Sequence, residues 1–524
     1  MHTEFVGLTS ADQTALARKI TSNKQADAAC LDLVNRLAQS FQERGVRYCH
    51  WKSNINLKRS LEGEADLDFF VDGESVSPML RVLAQLGFKA ARIKYGPETA
   101  DVTHHYGFDV RSGKLVHVHL FSRLLTGESF VKSHHLPFEK MVLESVAKTE
   151  PLVVVTRTAE LVLFVVRTFI KYGSLPDVLR LLGNAAGLRK ELCWLLEGSD
   201  LSRALSLLHK YCPAVGSSLF LTCVSAIEKD HSLLKKVLLA RRVRRQLRQY
   251  AEYSFIKRIE AYARVFLAKW QRLLKRNARN KMLQTGGAVI AIVGGDATGK
   301  STLVAESGRW LGKTFIVKII HTGKPPSSWL TAPANAVLAL YRRLTSTRSS
   351  GRFKKPASGD SYSSQHEFAG LSSLIYALRA VTLAWDRRQL LRKARRQADA
   401  GAIIICDRYP SRTIGAMDSP RLRDGSLKTG LIATAYNRLS RLEKRLYDDI
   451  PPPDIVLKLK VTLETAMKRN RERQDQDGCT YLEARHRQSQ NWHIGATRGV
   501  YEIDTEQTLE ETIADVRKTI WERL

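Results

Sequence analysis

The sequence predicts an α/β protein: a C-terminal doubly wound parallel sheet, an N-terminal α+β region, and a helical stretch between them. Three observations carry this. From residue 286 onward, short apolar runs rich in Ile and Val alternate with longer segments at helical spacing, the pattern of βαβ units on a parallel sheet. Residues 1–150 mix an amphipathic helix with strand-like runs. Residues 151–285 carry Leu and Arg at helical periodicity, with almost no proline or strand signal. A chain of 524 residues is too long for one ordinary core, so these become three regions: 1–150, 151–285 and 286–524.

In the first region, Asp27 to Arg44 is helix-like, with Leu31, Leu33, Val34, Leu37 and Phe41 on one face. Strands are expected at Asp66–Val71, Phe88–Tyr95 and Leu115–Phe121, the last entered through a turn over Asp109 to Lys114. In the third region strands are expected at Val289–Val293, Thr314–Ile320, Ala402–Cys406, Ile455–Leu459 and Tyr501–Ile503. Thr345 to Ser363, rich in Ser, Arg, Lys and Gly, reads as a loop.

The formal net charge is +31. Between His231 and Thr285, sixteen Lys and Arg face only Glu252 and Glu260. A field of that size draws nucleic acid, anionic lipid or a polyanionic substrate, unless the basic side chains form an ordinary solvated helical face. The seven cysteines are scattered and form no C-x-x-C pair, which fits a reducing, cytoplasmic setting and argues against a structural zinc site. The first residues lack the apolar core of a signal peptide, and the most apolar stretches, Pro151 to Ile170 and Ala214 to Ile227, are interrupted by charge or too short to span a bilayer.

The most informative segment is Gly294-Gly295-Asp296-Ala297-Thr298-Gly299-Lys300-Ser301-Thr302. It follows the apolar run Ala288 to Val293 and opens a helix-like stretch, so G-x-x-x-x-G-K-[ST] sits in the context a phosphate-binding loop requires. Backbone N–H groups of such a loop surround phosphate oxygens, Lys300 adds a point charge, and Ser301 can hold Mg²⁺. Further on come Asp386-Arg387 on a helix, then Asp407-Arg408-Tyr409 at the carboxyl end of a buried strand, where ligands bind in open α/β sheets. Last is an Arg-rich stretch with Arg469, Arg471 and Arg473, after the strand that Pro453-Asp454 opens.

In this order the elements resemble the thymidylate kinase family of P-loop nucleoside monophosphate kinases, over roughly residues 286–524. The family's loop reads Gly-x-Asp-Gly-x-Gly-Lys-Ser/Thr, matched here except at Ala297. The resemblance implies an ATP- and Mg²⁺-dependent kinase. In that role Lys300 and the loop amides bind the β- and γ-phosphates, Ser301 holds Mg²⁺ with Asp407, and Asp296 and Arg408 meet the acceptor's sugar and phosphate. Lid arginines 469, 471 and 473 would stabilise transition-state charge. One departure opens the acceptor. The family's substrate segment is replaced by His321-Thr322-Gly323-Lys324-Pro325-Pro326, followed by a basic insertion. The acceptor is then a nucleotide, another phosphorylated small molecule or a larger anion.

Near the N-terminus, Trp51-Lys52-Ser53, twelve residues, and Asp66-Leu67-Asp68 look like the nucleotidyltransferase signature, in which a Gly-Ser turn precedes Asp-x-Asp on a strand. Alternation puts Asp66 and Asp68 on one face, where two carboxylates can hold metal ions for phosphoryl transfer. The resemblance also implies a third carboxylate on a later strand. His117 stands at that place here, with Asp109 nearby as a substitute, and Lys52 replaces the usual glycine.

The leading expectation is therefore a phosphotransferase fused to a nucleotidyltransferase relative. The alternative is a nucleic-acid-associated NTP-binding protein acting through 231–285, and the same helices would also suit a membrane surface. A second copy of the chain is a further candidate partner.

Overall fold

In the computed structural model the chain folds as two compact units, Met1–Arg279 and Asn280–Leu524. The described residues are 30–93, 101–128, 131–172, 178–179, 183–253, 260–263, 266–267, 270, 280–323, 325–326, 328, 331–333, 336, 371–413, 416, 418–423, 430–472, 479–494, 497 and 499–524. The expected loop 345–363, lid residue Arg473 and much of the basic stretch beyond residue 253 lie outside them.

The first unit is built on strands β1 (Tyr48–His50), β2 (Leu67–Val71), β3 (Lys89–Ile93), β4 (Val102–Asp109), β5 (Lys114–Phe121), β8 (Val146–Thr149) and β9 (Leu152–Val155), in the order β3-β4-β5-β2-β1-β9-β8. A separate hairpin pairs β6 (Leu125–Glu128) with β7 (Val131–His135). Side chains alternate across the sheet. Leu67, Phe69, Val71, Val116, Val118 and Leu120 pack under helices α1 (Asp32–Glu43) and α3 (Val76–Gln85). Short α2 (Leu57–Leu61) lies between them in the chain, and α4 (Glu139–Glu144) follows β7.

Phe70 and Phe121 point the other way, into a second core. That core contains the buried face of α5 (Arg157–Lys171) with α6 (Ala185–Glu197), α7 (Leu201–Tyr211), α8 (Ser217–Glu228) and α9 (Leu233–Gln246). Each fully buried Phe or Leu of these cores contributes about 1.5–3 kcal/mol.

Two expectations are corrected. The region from 151 contains strand β9, because Leu152-Val153-Val154-Val155 is a β-branched run too short for a helix and ended by Thr156, the N-cap of α5. Strand β4, absent from the expected strands, pairs with β5 along its whole length despite the interior Gly107. That glycine is required by packing, since a Cβ there would lie 2.7 Å from Leu33 Cδ2 and 2.6 Å from the Phe88 ring.

The second unit has a five-stranded parallel sheet in the order β12-β13-β11-β14-β15. The strands are β11 (Ala288–Val293), β12 (Val317–His321), β13 (Ile403–Asp407), β14 (Ile455–Lys460) and β15 (Gly499–Asp504), preceded by the short β10 (Lys281–Leu283). All five expected strands are present, with ends shifted by up to three residues. Helices α10 (Lys300–Gly312), α11 (Leu371–Asp399), α12 (Leu431–Asp448), α13 (Leu463–Glu472), α14 (Cys479–Gln490) and α15 (Leu509–Arg523) complete it. The final helix begins with a Thr508–Glu511 capping box.

Strand β11 is buried at every position and flanked on both sides, so its carboxyl end opens at the middle of the sheet edge. Among the described residues no helix is long and apolar enough to cross a membrane.

Candidate functional site

At that edge β11 runs into the phosphate loop, and α10 starts at Lys300. Gly299 takes φ +87°, as the turn into the helix demands. Ala297 takes φ +62°. The one departure from the family's loop thus falls where the backbone is left-handed, a conformation costing a residue with a Cβ about 1–2 kcal/mol.

The loop residues Asp296 to Ser301 line a polar cavity of about 320 Å³ together with Asp407, Arg408, Asn470 and Tyr481. Gly294 lies on a smaller neighbouring pocket with Arg408, Tyr409 and Asp418. Gly295 accepts from the Lys300 ammonium through its carbonyl, and Ser301 and Thr302 are exposed in the first turn of α10.

Lys300 is only 7% exposed, and burial lowers its pKa to about 8 against the pull of Asp296, 3.7 Å away. Asp296 is the hub. Arg408 donates to one of its oxygens at 3.1 Å; Arg485 at 2.9 Å and Tyr481 at 3.3 Å donate to the other. Burial alone would raise this carboxyl, but Arg485, Lys300 and Arg408 together hold it below its ordinary value.

The end of β13 places Asp407 opposite the loop. Its Oδ2 lies 3.0 Å from His321 Nδ1, while its buried Oδ1 has no hydrogen-bond partner among the described residues. Arg408 follows with φ +69°, a strained turn that aims its guanidinium at Asp296.

Arg387 is 1% exposed on α11 and donates to the carbonyls of Thr322, Gly323 and Asp418, to Tyr447 Oη at 2.6 Å and to Asp418 Oδ1 at 2.9 Å. Asp386 accepts instead from Ser328 N–H and the Thr331 hydroxyl. The two neighbours therefore fasten different segments beside the site.

The Arg-rich segment divides. Arg469 donates to Thr505 O at 2.6 Å, Arg471 is exposed, and Asn470 between them faces the cavity. Sequence reasoning missed Asn470, Tyr481 and Arg485. The last two sit one helical turn apart on α14, but nothing local distinguishes them from the other polar residues of that helix.

In the first unit, Asp66 and Asp68 lie on the same face of the β2 segment, as alternation requires. His117 and His119 of β5 and His104 of β4 continue that face. His117 Nδ1 is 2.6 Å from Asp66, and His119 Nδ1 is 3.1 Å from Asp68. Lys52, where the signature has glycine, places its ammonium 2.9 Å from Asp68 and over the Phe121 ring, while Ser53 takes the left-handed turn at φ +59°.

Burial would raise both carboxyls. His117 holds Asp66 down at about 2, and Lys52 and His119 hold Asp68 lower still. Asp109 is not a substitute third carboxylate. It points to the opposite face and caps backbone, accepting from Leu33 N–H and Ser112 N–H, both at 2.8 Å.

No family model matches the chain. The uncharacterized ATP-binding protein YghR of Escherichia coli K12 is 26% identical over 245 residues, 44% of this chain and 86% of that protein. YghR of E. coli O6:H1 strain CFT073 matches to the same extent. Among solved structures, a deoxyadenosine kinase from M. mycoides with bound dATP shares 17% identity at a TM-score of 0.24, over 44% of this chain and 98% of that one. The thymidylate kinase of Candida albicans shares 18% at 0.26, over 45% and 91%. The strand order of the second unit, with a glycine-rich loop after its central strand, fits a P-loop α/β fold.

Proposed function

We propose that the second unit is an ATP- and Mg²⁺-dependent phosphotransferase acting on a nucleotide or another phosphorylated acceptor. The observation that carries this is the pairing, across one polar cavity, of the cationic Lys300 cradle with a buried oxygen of Asp407 that has no hydrogen-bond partner among the described residues. That oxygen and the Ser301 hydroxyl are the hard donors a magnesium ion takes, and the ion would neutralise charge on the β- and γ-phosphates. An acceptor phosphate oxygen attacks the γ-phosphorus, the bond to the bridging oxygen breaks, and ADP leaves carrying that electron pair. The acceptor brings its own nucleophile, so the chain needs only to position and to supply charge. Arg408 and Arg485, both paired with Asp296, would meet the acceptor's phosphate.

Purified chain with ATP, Mg²⁺ and a panel of monophosphates is expected to form ADP in an acceptor-dependent manner. Lys300→Ala, checked for an unchanged circular dichroism spectrum, should lower turnover by at least ~100-fold. Turnover equal to the parent would overturn the assignment.

For the basic helices, one observation favours an anionic membrane surface over nucleic acid. On α9 the exposed Leu234 and Leu238 stand beside exposed Arg241, Arg242 and Arg245. Apolar and cationic side chains on one exposed helix suit a lipid interface. Sedimentation with phosphatidylserine vesicles, weakened by Leu234→Ser with Leu238→Ser, supports it; salt-sensitive RNA or DNA binding that the leucine variants leave intact refutes it.

A further inference from the structure

We propose that the first unit binds a divalent transition cation of the Zn²⁺ class through His104, His117 and His119, with Asp66 and Asp68 orienting the rings instead of ligating. This is a different site, with different chemistry, from the magnesium-dependent centre of the second unit, and it stands whether or not that unit transfers phosphate.

The sheet brings the three imidazoles together. His104 on β4 is directly opposite His119 on β5, and His117 is two residues along, on the same face. One nitrogen from each ring lies within 4.8 Å of the other two. His104 Nδ1 and His117 Nε2, hydrogen-bonded to each other, are 3.3 Å apart. With Zn–N bonds of about 2.0–2.1 Å, two nitrogens on a tetrahedral zinc are separated by about 3.3 Å, so this pair already has the spacing of two ligands on one ion.

The carboxylates favour the tautomer with the proton on Nδ1. His117 Nδ1 faces Asp66 at 2.6 Å and His119 Nδ1 faces Asp68 at 3.1 Å. A proton on each Nδ1 would be held by a carboxylate, which turns Nε2 toward the metal position; His117 Nε2 would there exchange its hydrogen bond with His104 Nδ1 for the ion. This is the carboxylate–histidine–metal arrangement in which the outer carboxylate fixes the ring and strengthens the ligand. Tyr106 stacks on the His117 ring at 4.2 Å with planes 5° apart and fixes its tilt.

The same contacts decide which cation fits. Mg²⁺ takes oxygen ligands, yet the Lys52 ammonium stands 2.9 Å from Asp68, and imidazole nitrogen suits zinc, cobalt, nickel and copper. Three protein ligands leave a fourth position for water or an anionic oxygen, so the bound ion would serve as a Lewis acid at that face.

The untagged full-length chain, stripped with a chelator, is titrated with Co²⁺ and then Zn²⁺. One equivalent of Co²⁺ should produce the intense visible bands of a four-coordinate nitrogen site. Zn²⁺ should abolish them, and a large excess of Mg²⁺ should not. His104→Gln and His119→Gln should each weaken Zn²⁺ at least 100-fold. Asp66→Asn, a positioning change, should weaken it about 10- to 100-fold with the stoichiometry kept. Absence of cobalt bands in the unmutated chain overturns the proposal without any variant having to fold. So does displacement by Mg²⁺, or affinity lost in Asp68→Asn but kept in both histidine variants, which would return the ion to the carboxylates.

Discussion

The two polar centres of this chain are assembled in opposite ways. In the second unit the centre is a contiguous loop, Gly294 to Thr302, with Asp407 and Arg408 delivered beside it by the adjacent strand. In the first unit nothing is contiguous. Lys52, Asp66, Asp68, His104, His117 and His119 come from four separate segments and meet only because β2, β5 and β4 lie side by side in register. The charge balance differs as well. The loop gathers Lys300, Arg408 and Arg485 around one carboxylate, leaving cationic capacity for a phosphate. The sheet face pairs each carboxylate with an imidazole or an ammonium and gathers three imidazoles beside them. One surface gathers cations around a single carboxylate, and the other gathers imidazoles around two.

Four changes would break or sharpen that contrast. The largest effect is expected from Arg387→Ala. It strips partners from the carbonyls at 322, 323 and 418 and from the Asp418 carboxylate, and should cost about 3–5 kcal/mol, read as a lower urea midpoint. If the midpoint hardly moves, the second site does not depend on a buried framework. Lys52→Met comes next, because it removes the ammonium from Asp68 and leaves the carboxylate its hydrogen bond with His119. A loss of about 2–3 kcal/mol is expected, and no loss would mean the Asp68 charge is balanced by something other than Lys52.

The third is a pH effect. Lys300 has a folded pKa of about 8, below its unfolded value of 10.5, so the unfolded chain holds more protons between these limits and the burial penalty is relieved as pH rises through about 8. Bound phosphate restores the proton, so triphosphate affinity should fall about tenfold per unit above pH 8 and be flat below it. Calorimetry in buffers of differing ionisation heat should show proton uptake on binding at pH 9. The smallest effect belongs to Ala297→Gly, which should raise the thermal midpoint by the equivalent of ~1 kcal/mol, because φ +62° suits glycine. A decrease would show that the Ala297 methyl packs favourably enough to outweigh the strain.

Much of the second unit was legible in the sequence. Five strand positions and the phosphate loop followed from apolar runs and glycine spacing, since a buried parallel strand and a loop around phosphate both have local signatures. The pairing of Asp386 with Arg387 as a helix salt bridge, an ordinary alternative for adjacent charges, does not occur; the helix turns them toward different partners. In the first unit Asp66 and Asp68 were legible as a same-face pair. Asp109 as their third member was not tenable once its backbone contacts were visible, because a turn-capping aspartate and a ligand aspartate look alike in one sequence.

By itself the sequence determined what is written within a few residues: a phosphate-binding loop after a buried strand, an aspartate and arginine at the next strand's end, and a two-carboxylate strand near the N-terminus. Only the tertiary structure decided the company these groups keep. Arg485 reaches Asp296 across 189 residues, and His117 reaches Asp66 across 51. Such distances are closed by strand register and helix packing, which depend on the whole core at once, and no local pattern of residue types encodes them.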